Sequence, residues 1–468
     1  MRRALLWAAA GSTVVAAAGP AAANGRFPFS NQFAFSASDP NLIVLRTTYG
    51  ILPSHDNGAS WGYVCEDALG LGPMATEDPS IGLMANNALL AGVSVGLNVS
   101  PDVGCNWSCK GGALADQPIA DVAVRPDAPQ SAVAITRTYL ESDSSADNIL
   151  SQTYETNDNG GTWAAIGTPL PSDVVVETID VTKTDPNRLY VSGIRGLGSQ
   201  TTAWLFVSMD KGATWTGHQV PQGQFDASVE GAIFIGGVDP SNAGRLYLRS
   251  SGLVTGGQSR LTVVDVAPDG TPTFTSAHTF DVEAGKGMTG EMLGFALSPD
   301  GSKIYIGSDE EGLWVASTAD MVFQKKSSIV VQCLATRGNE LWACSAALSG
   351  FIAGVSYDDG ATFTAKLPLV GALTGPIACA PNPQGAACNT TQNSSQCGAA
   401  YATFCETQPC GPDAGDGAVP PVSPPPKSSS CDISSAAARG WPDGGGAMAL
   451  GAGGVVLAMS FGRRRKRR

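Results

Sequence analysis

Apolar, β-rich runs recur along this chain, each behind a tight turn of Pro, Asn, Asp or Gly. They are SDPNLIVL (38–45), MANNALLAG (84–92), RPDAPQSAVAI (125–135), TDPNRLYV (184–191), VDPSNAGRLYL (238–248), SPDGSKIYI (298–306) and TRGNELWAC (336–344). Punctuation of this kind opens strands, not helices. Behind each run comes a second pattern, S/T-x-D-x-G-x-S/T/N-aromatic. It reads SHDNGASW (54–61), SPDVGCNW (100–107), TNDNGGTW (156–163), SMDKGATW (208–215) and SYDDGATF (356–363), with degraded versions VAPDGTPTF (266–274) and SDEEGLW (308–314). Taking Asp56, Asp102, Asp158, Asp210, Asp269, Glu310 and Asp358 as markers, the steps are 46, 56, 52, 59, 41 and 48 residues. A period of about fifty residues is the length of one four-stranded blade. Two phase-locked markers of seven members each predict an all-β chain: a seven-bladed β-propeller over 26–378, followed by a small cysteine-rich extension over 379–410.

The octapeptide has the chemistry of a turn. Its Asp accepts hydrogen bonds from backbone N–H groups ahead of it, its Gly supplies a positive φ, and its aromatic residue re-enters the core. That assigns structural roles to Asp56 and Trp61, Asp102 and Trp107, Asp158 and Trp163, Asp210 and Trp215, and Asp358 and Phe363. A calcium loop needs alternating Asp or Asn ligands and a Glu six positions after the Gly. Around Gly160 those places hold Glu155, Asn157, Asn159 and, last, Ile166. No metal, cofactor or catalytic residue is expected at the boxes.

Composition changes the picture mainly at the ends. Arg2 and Arg3, the apolar ALLWAAAGSTVVAAAG and the small residues up to Ala23 form a signal peptide over 1–23. At the other end GGGAMALGAGGVVLAMSFG (444–462) is an uncharged stretch followed by RRRKRR (463–468), which reads as a transmembrane span with a cytoplasmic basic end. Between Cys410 and Cys431 lies GPDAGDGAVPPVSPPPKSSS (411–430), a Pro/Gly/Ser-rich stalk that remains extended. The chain has 28 basic and 41 acidic residues; setting aside Arg2, Arg3, Arg439, Asp432, Asp443 and the basic end leaves 19 and 39. A surface near −20 repels phosphate backbones, so nucleic acid is excluded as a partner.

Eleven cysteines in an exported chain imply a disulfide framework. Cys333 and Cys344 sit symmetrically about the turn RGNE, facing each other across a hairpin. Cys65, Cys105 and Cys109 fall early in the ring, while Cys379, Cys388, Cys397, Cys405 and Cys410 come after it. Both groups are odd, so full pairing requires a bridge from the start of the ring to its end.

The boxes resemble the BNR or Asp-box repeat of sialidases, sortilin-type receptors and related propellers. That resemblance implies a structural turn on the face away from the ligand site. The segment 431–468 resembles the MYXO-CTERM sorting tail of myxobacterial surface proteins. This second resemblance implies that Cys431 is the processing point, that a sorting protease removes the residues beyond it, and that Cys431 is modified with lipid or otherwise fixed at the surface. A permanent single-span anchor is the alternative. Either way the membrane is met only through the tail or a lipid anchor.

Two functions remain open. One is an exported, surface-anchored, non-catalytic propeller binding an extracellular protein, peptide or glycan; the other is a sialidase-like or other glycoside hydrolase. A sialidase needs clustered arginines, a Tyr nucleophile supported by a Glu, and an acid. The R-I-P segment expected ahead of the first box is missing, with RFPF (26–29) in its place. Arg46, Arg125, Arg137, Arg188, Arg195, Arg245, Arg249, Arg260 and Arg337 are few and scattered along the chain, and most of those beside DP turns read as solvated turn residues.

Overall fold

A computed structural model describes residues 30–69, 78–109, 112–140, 148–196, 200–252, 257–281, 291–379 and 397–407. Among the described residues the strands form seven antiparallel blade sheets, arranged as a seven-bladed β-propeller, and one two-stranded ribbon, Thr138–Tyr139 with Ile149–Leu150. The innermost strands are Ser30–Phe35, Ser80–Leu83, Ile119–Val124, Val175–Val181, Glu230–Val238, Met292–Leu297 and Cys333–Arg337. Each touches the innermost strand of the next blade, and the last touches the first.

Burial follows from position in the blade. Second strands such as Leu89–Val93 and Ala132–Thr136 are buried at every residue because neighbouring blades cover both faces. Inner strands such as Ile119–Val124 bury only some positions, since each is an edge strand whose unpaired side borders the axial channel. The seven turn-plus-strand segments lie at the connection between first and second strands in all seven blades. The five full boxes and the 266–274 copy lie between third and fourth strands, hence on the same face of the ring. The 308–314 copy does not. Ser308 ends the second strand of blade 6 and Gly312 begins the third, so Glu310 stands on the opposite face. An acid–Gly–aromatic string does not specify which end of a hairpin it turns.

Blade 1 is built unusually. Its first three strands are Ser30–Phe35, Ile43–Thr47 and Gly50–Ser54, and Val64 bridges antiparallel to Ile51 outside them. Beyond that, chain from after blade 7 runs parallel to it, Tyr63 pairing with Pro376. Thr374 N–H donates to Trp61 O (2.9 Å), Tyr63 N–H to Gly375 O (2.9 Å) and Ile377 N–H to Tyr63 O (3.2 Å). Disulfides Cys65–Cys397 and Cys105–Cys379 hold this clasp, and a further bridge, Cys333–Cys344, joins paired residues of blade 7. Behind the clasp, Phe404 of the helix Gly398–Thr407 stacks on Tyr49 (4.9 Å between ring centres).

The transmembrane expectation is corrected here. Among the described residues no helix is long and apolar enough to cross a membrane. Gly398–Thr407 has ten residues, about 15 Å of helix. The segment 444–462 lies outside the described residues, as do Ala23, the stalk and Cys431.

Candidate functional site

The box turns share one geometry. In the box at Asp158, Thr162 N–H donates to Oδ1 (2.8 Å), Thr156 Oγ1–H donates to the same oxygen (2.8 Å) and Thr162 Oγ1–H to Oδ2 (2.8 Å). Thr156 Oγ1 in turn accepts from Gly160 N–H (3.1 Å). Asp56, Asp102, Asp210 and Asp358 accept from the equivalent groups, with Asn106 replacing the second hydroxyl beside Asp102. These donors, led by the Thr162 N–H and hydroxyl, hold the Asp158 carboxyl down at about 2, and equivalent bonds hold Asp358 there too. Two successive residues adopt positive φ, not the glycine alone: Asn57, Val103, Asn159, Lys211 and Asp359 lie at 56° to 60° ahead of their glycines.

The box also sets the distance between blades. A Cβ on Gly160 would come within 2.8 Å of Leu90 in the preceding blade, and one on Gly58 within 3.0 Å of Trp342. Trp61 and Trp107 are buried, whereas Trp163, Trp215 and Phe363 are partly exposed. Trp61 Nε1–H donates to Gly58 O and to Lys366 O of blade 7, both at 3.2 Å.

Arginines reinforce these joints, which corrects their reading as solvated turn residues. Arg125 and Arg188 are 4% and 8% exposed. Arg125 donates to Pro186 O of the next blade (3.0 Å), and Arg337 donates to Pro40 O of blade 1 (2.8 Å). Toward the opposite face of the ring Arg46 donates to Pro79 O (2.8 Å), Arg137 to Val176 O (3.0 Å) and Arg249 to Met292 O (3.1 Å). Each reaches the start of the next blade's inner strand. Glu177 lies 3.5 Å from Arg137, and Glu230, with its side chain fully enclosed, lies 3.4 Å from Arg260. Burial raises both carboxyls despite those cations. Arg46, Arg125, Arg137, Arg249 and Arg337 are therefore staples that donate across the joints between neighbouring blades.

The candidate site is the axial channel, where inner strands of blades 1 to 5 enclose a cavity of about 460 Å³. Its wall includes Phe35, Ile81, Leu83, Asp121, Thr178 and Asp180. Asp121 Oδ1 accepts from Ser80 Oγ–H (2.6 Å) and Val122 N–H (2.8 Å), and Oδ2 accepts from Ile179 N–H of blade 4 (2.9 Å). Thr178 Oγ1 accepts from Ile235 N–H of blade 5 (2.8 Å). Asp180 Oδ1 accepts from Val181 N–H (2.7 Å). Enclosure pushes the Asp180 carboxyl up to about 7, opposed by the Val181 N–H and helped by the charge of Asp121. These side chains bridge bulged inner strands, as the register shifts near Asp121 and Thr178 show. None of them stands out in the sequence, because each is a polar residue inside a mainly apolar β-rich run such as VVVETIDV (174–181).

Comparison with known proteins adds no family: no family model and no curated protein matches this chain. Solved structures do resemble it. Sqt1 from Chaetomium thermophilum is 15% identical with a TM-score of 0.44, over 73% of this chain and 84% of that one. YCF48 bound to D1 peptide is 14% identical with a TM-score of 0.42, over 68% and 88%. An ancestral GH74 enzyme is 11% identical with a TM-score of 0.41, over 72% of this chain but only 54% of its own. Identities and scores at this level carry no argument about activity.

Proposed function

We propose that the chain is an exported, non-catalytic recognition propeller of the Asp-box type, held at the cell surface through its stalk and a processed, modified Cys431. Its ligand is an extracellular protein, peptide or glycan taken at the axial channel. One observation supports this most: the Asp121 carboxylate, which lines the channel, is engaged in joining blades. Asp121 accepts three donors, two of them from neighbouring blades. A carboxylate so engaged cannot attack or protonate a substrate without opening the ring, whereas a rigid, lined cavity suits recognition.

The competing reading, a glycoside hydrolase, rests on Asp180, whose raised carboxyl has the value of a general acid near neutral pH. One screen separates the two. The full chain is applied to glycan and peptide arrays and, in parallel, to chromogenic glycosides. Saturable binding without turnover supports recognition. Turnover that disappears in Asp180→Asn establishes the hydrolase and ends the first reading.

A further inference from the structure

Among the five full boxes, that of blade 7 carries two residues the turn does not require. Its second position is Tyr357, where the others have His55, Pro101, Asn157 and Met209. Its fourth is Asp359, where the others have Asn57, Val103, Asn159 and Lys211. Both residues line a groove of about 470 Å³ between blades 6 and 7 on the box face, away from the channel.

The groove is preorganised. Asp359 is gripped by Lys303 Nζ (2.7 and 2.8 Å) and by Tyr305 O–H (2.7 Å). Glu340 accepts from Arg337 Nε–H (2.8 Å), Trp342 Nε1–H (2.9 Å) and Tyr357 O–H (3.1 Å). Asp300 accepts from Ser298 Oγ–H (2.6 Å) and from Ser302 N–H (3.0 Å) and Oγ–H (2.8 Å). Tyr357 is nevertheless 60% exposed: its hydroxyl is tied down while its ring meets solvent.

We propose that this groove binds a neutral carbohydrate, with Tyr357 as the stacking platform and Asp300, Glu340 and Asp359 as acceptors for sugar hydroxyls. An ionised carboxylate only accepts, and adjacent sugar hydroxyls are its natural donors. An aromatic ring fixed at its polar end offers an apolar face to the C–H side of a pyranose. A charged ligand fits worse. Lys303 offsets Asp359 and Arg337 offsets Glu340, so a cation gains little at either, Asp300 is held by the neutral donors of Ser298 and Ser302, and the acidic surface beyond repels anions. The site is independent of the channel, and either can fail without the other.

The test titrates the full chain calorimetrically with four probes, the tetrasaccharides of cellulose, xylan, mannan and chitin, and with pentalysine as a cationic control. At least one tetrasaccharide binds saturably. Tyr357→Ala weakens it about tenfold, the loss of one aromatic contact, while Tyr357→Phe keeps it within about threefold because the ring remains. Asp180→Asn in the channel leaves it unchanged. If Tyr357→Ala fails to fold, Asp300→Asn supplies the same reading, with weakened binding expected. Three results overturn the proposal: none of the four sugars binds, binding ignores Tyr357→Ala and Asp300→Asn, or pentalysine binds in a salt-sensitive way and the sugars do not.

Discussion

Removing the two clasp disulfides tests how the ring is held shut. Cys65–Cys397 and Cys105–Cys379 are nested, with sequence separations of 332 and 274. When either is cut, the other still closes the unfolded chain. The lost constraint is then only the small loop between them, from Cys65 to Cys105 and from Cys379 to Cys397, about 58 residues, which corresponds to about 4 kcal/mol of loop entropy. Cutting both also releases the large loop, about a further 5–6 kcal/mol. Paired Cys→Ser variants lacking one bridge should therefore each lose about 4 kcal/mol, and the variant lacking both about 10 kcal/mol, more than the two losses added. Guanidinium unfolding followed by tryptophan fluorescence measures all three. Should a single-bridge variant lose under about 1 kcal/mol, or the variant lacking both lose no more than a single-bridge one, the bridges do not carry closure and the argument fails.

Three further outcomes are expected. Asp158→Ala removes the acceptor of three turn hydrogen bonds and should cost about 1–2 kcal/mol in chemical denaturation, with no dependence on calcium. Because the folded carboxyl sits at about 2, below its unfolded value near 4, the contribution of Asp158 is full above pH ~4 and fades as pH falls through about 2. The stability difference between wild type and Asp158→Ala should vanish over that window, and a constant difference would contradict the geometry. Gly360→Ala places a methyl at φ 85° against Leu313 of blade 6 and should cost about 2–4 kcal/mol, read as a lowered denaturation midpoint. Arg337→Ala removes the donors to Pro40 O and Glu340 and the cation over Phe35 and Trp342, and should cost about 2–3 kcal/mol. A neutral result by thermal melting would show that the joint between blades 7 and 1 does not depend on it.

Blade number was legible because its signals are local. A DPN-type turn and a box each occupy fewer than about ten residues and recur in phase, so counting them counted sheets. The same locality explains the error at Glu310: the string SDEEGLW makes a turn, but which strands flank it depends on the rest of the blade. Most of what was missed is a meeting of distant segments. Pro376 beside Tyr63, Arg337 on Pro40, and Asp121 on Ile179 each join elements whose adjacency exists only once the ring is formed. The arginines beside DP turns looked solvated because a turn in one blade is exposed until the neighbouring blade covers it. In the groove at Tyr357 the sequence did hold a signal, an aromatic residue and an extra acid in a box that functions without them elsewhere. Comparing the boxes position by position, and not only counting them, would have exposed it.

The clasp on blade 1 also dictates a schedule. Tyr63 emerges from the ribosome some three hundred residues before Pro376, its partner. Until that late segment arrives, the nascent protein is an arc with one edge unpaired, and a product truncated anywhere earlier never acquires its final strand. Closure of the ring thus waits on synthesis past Pro376, because the segment that completes blade 1 is made after all seven blades.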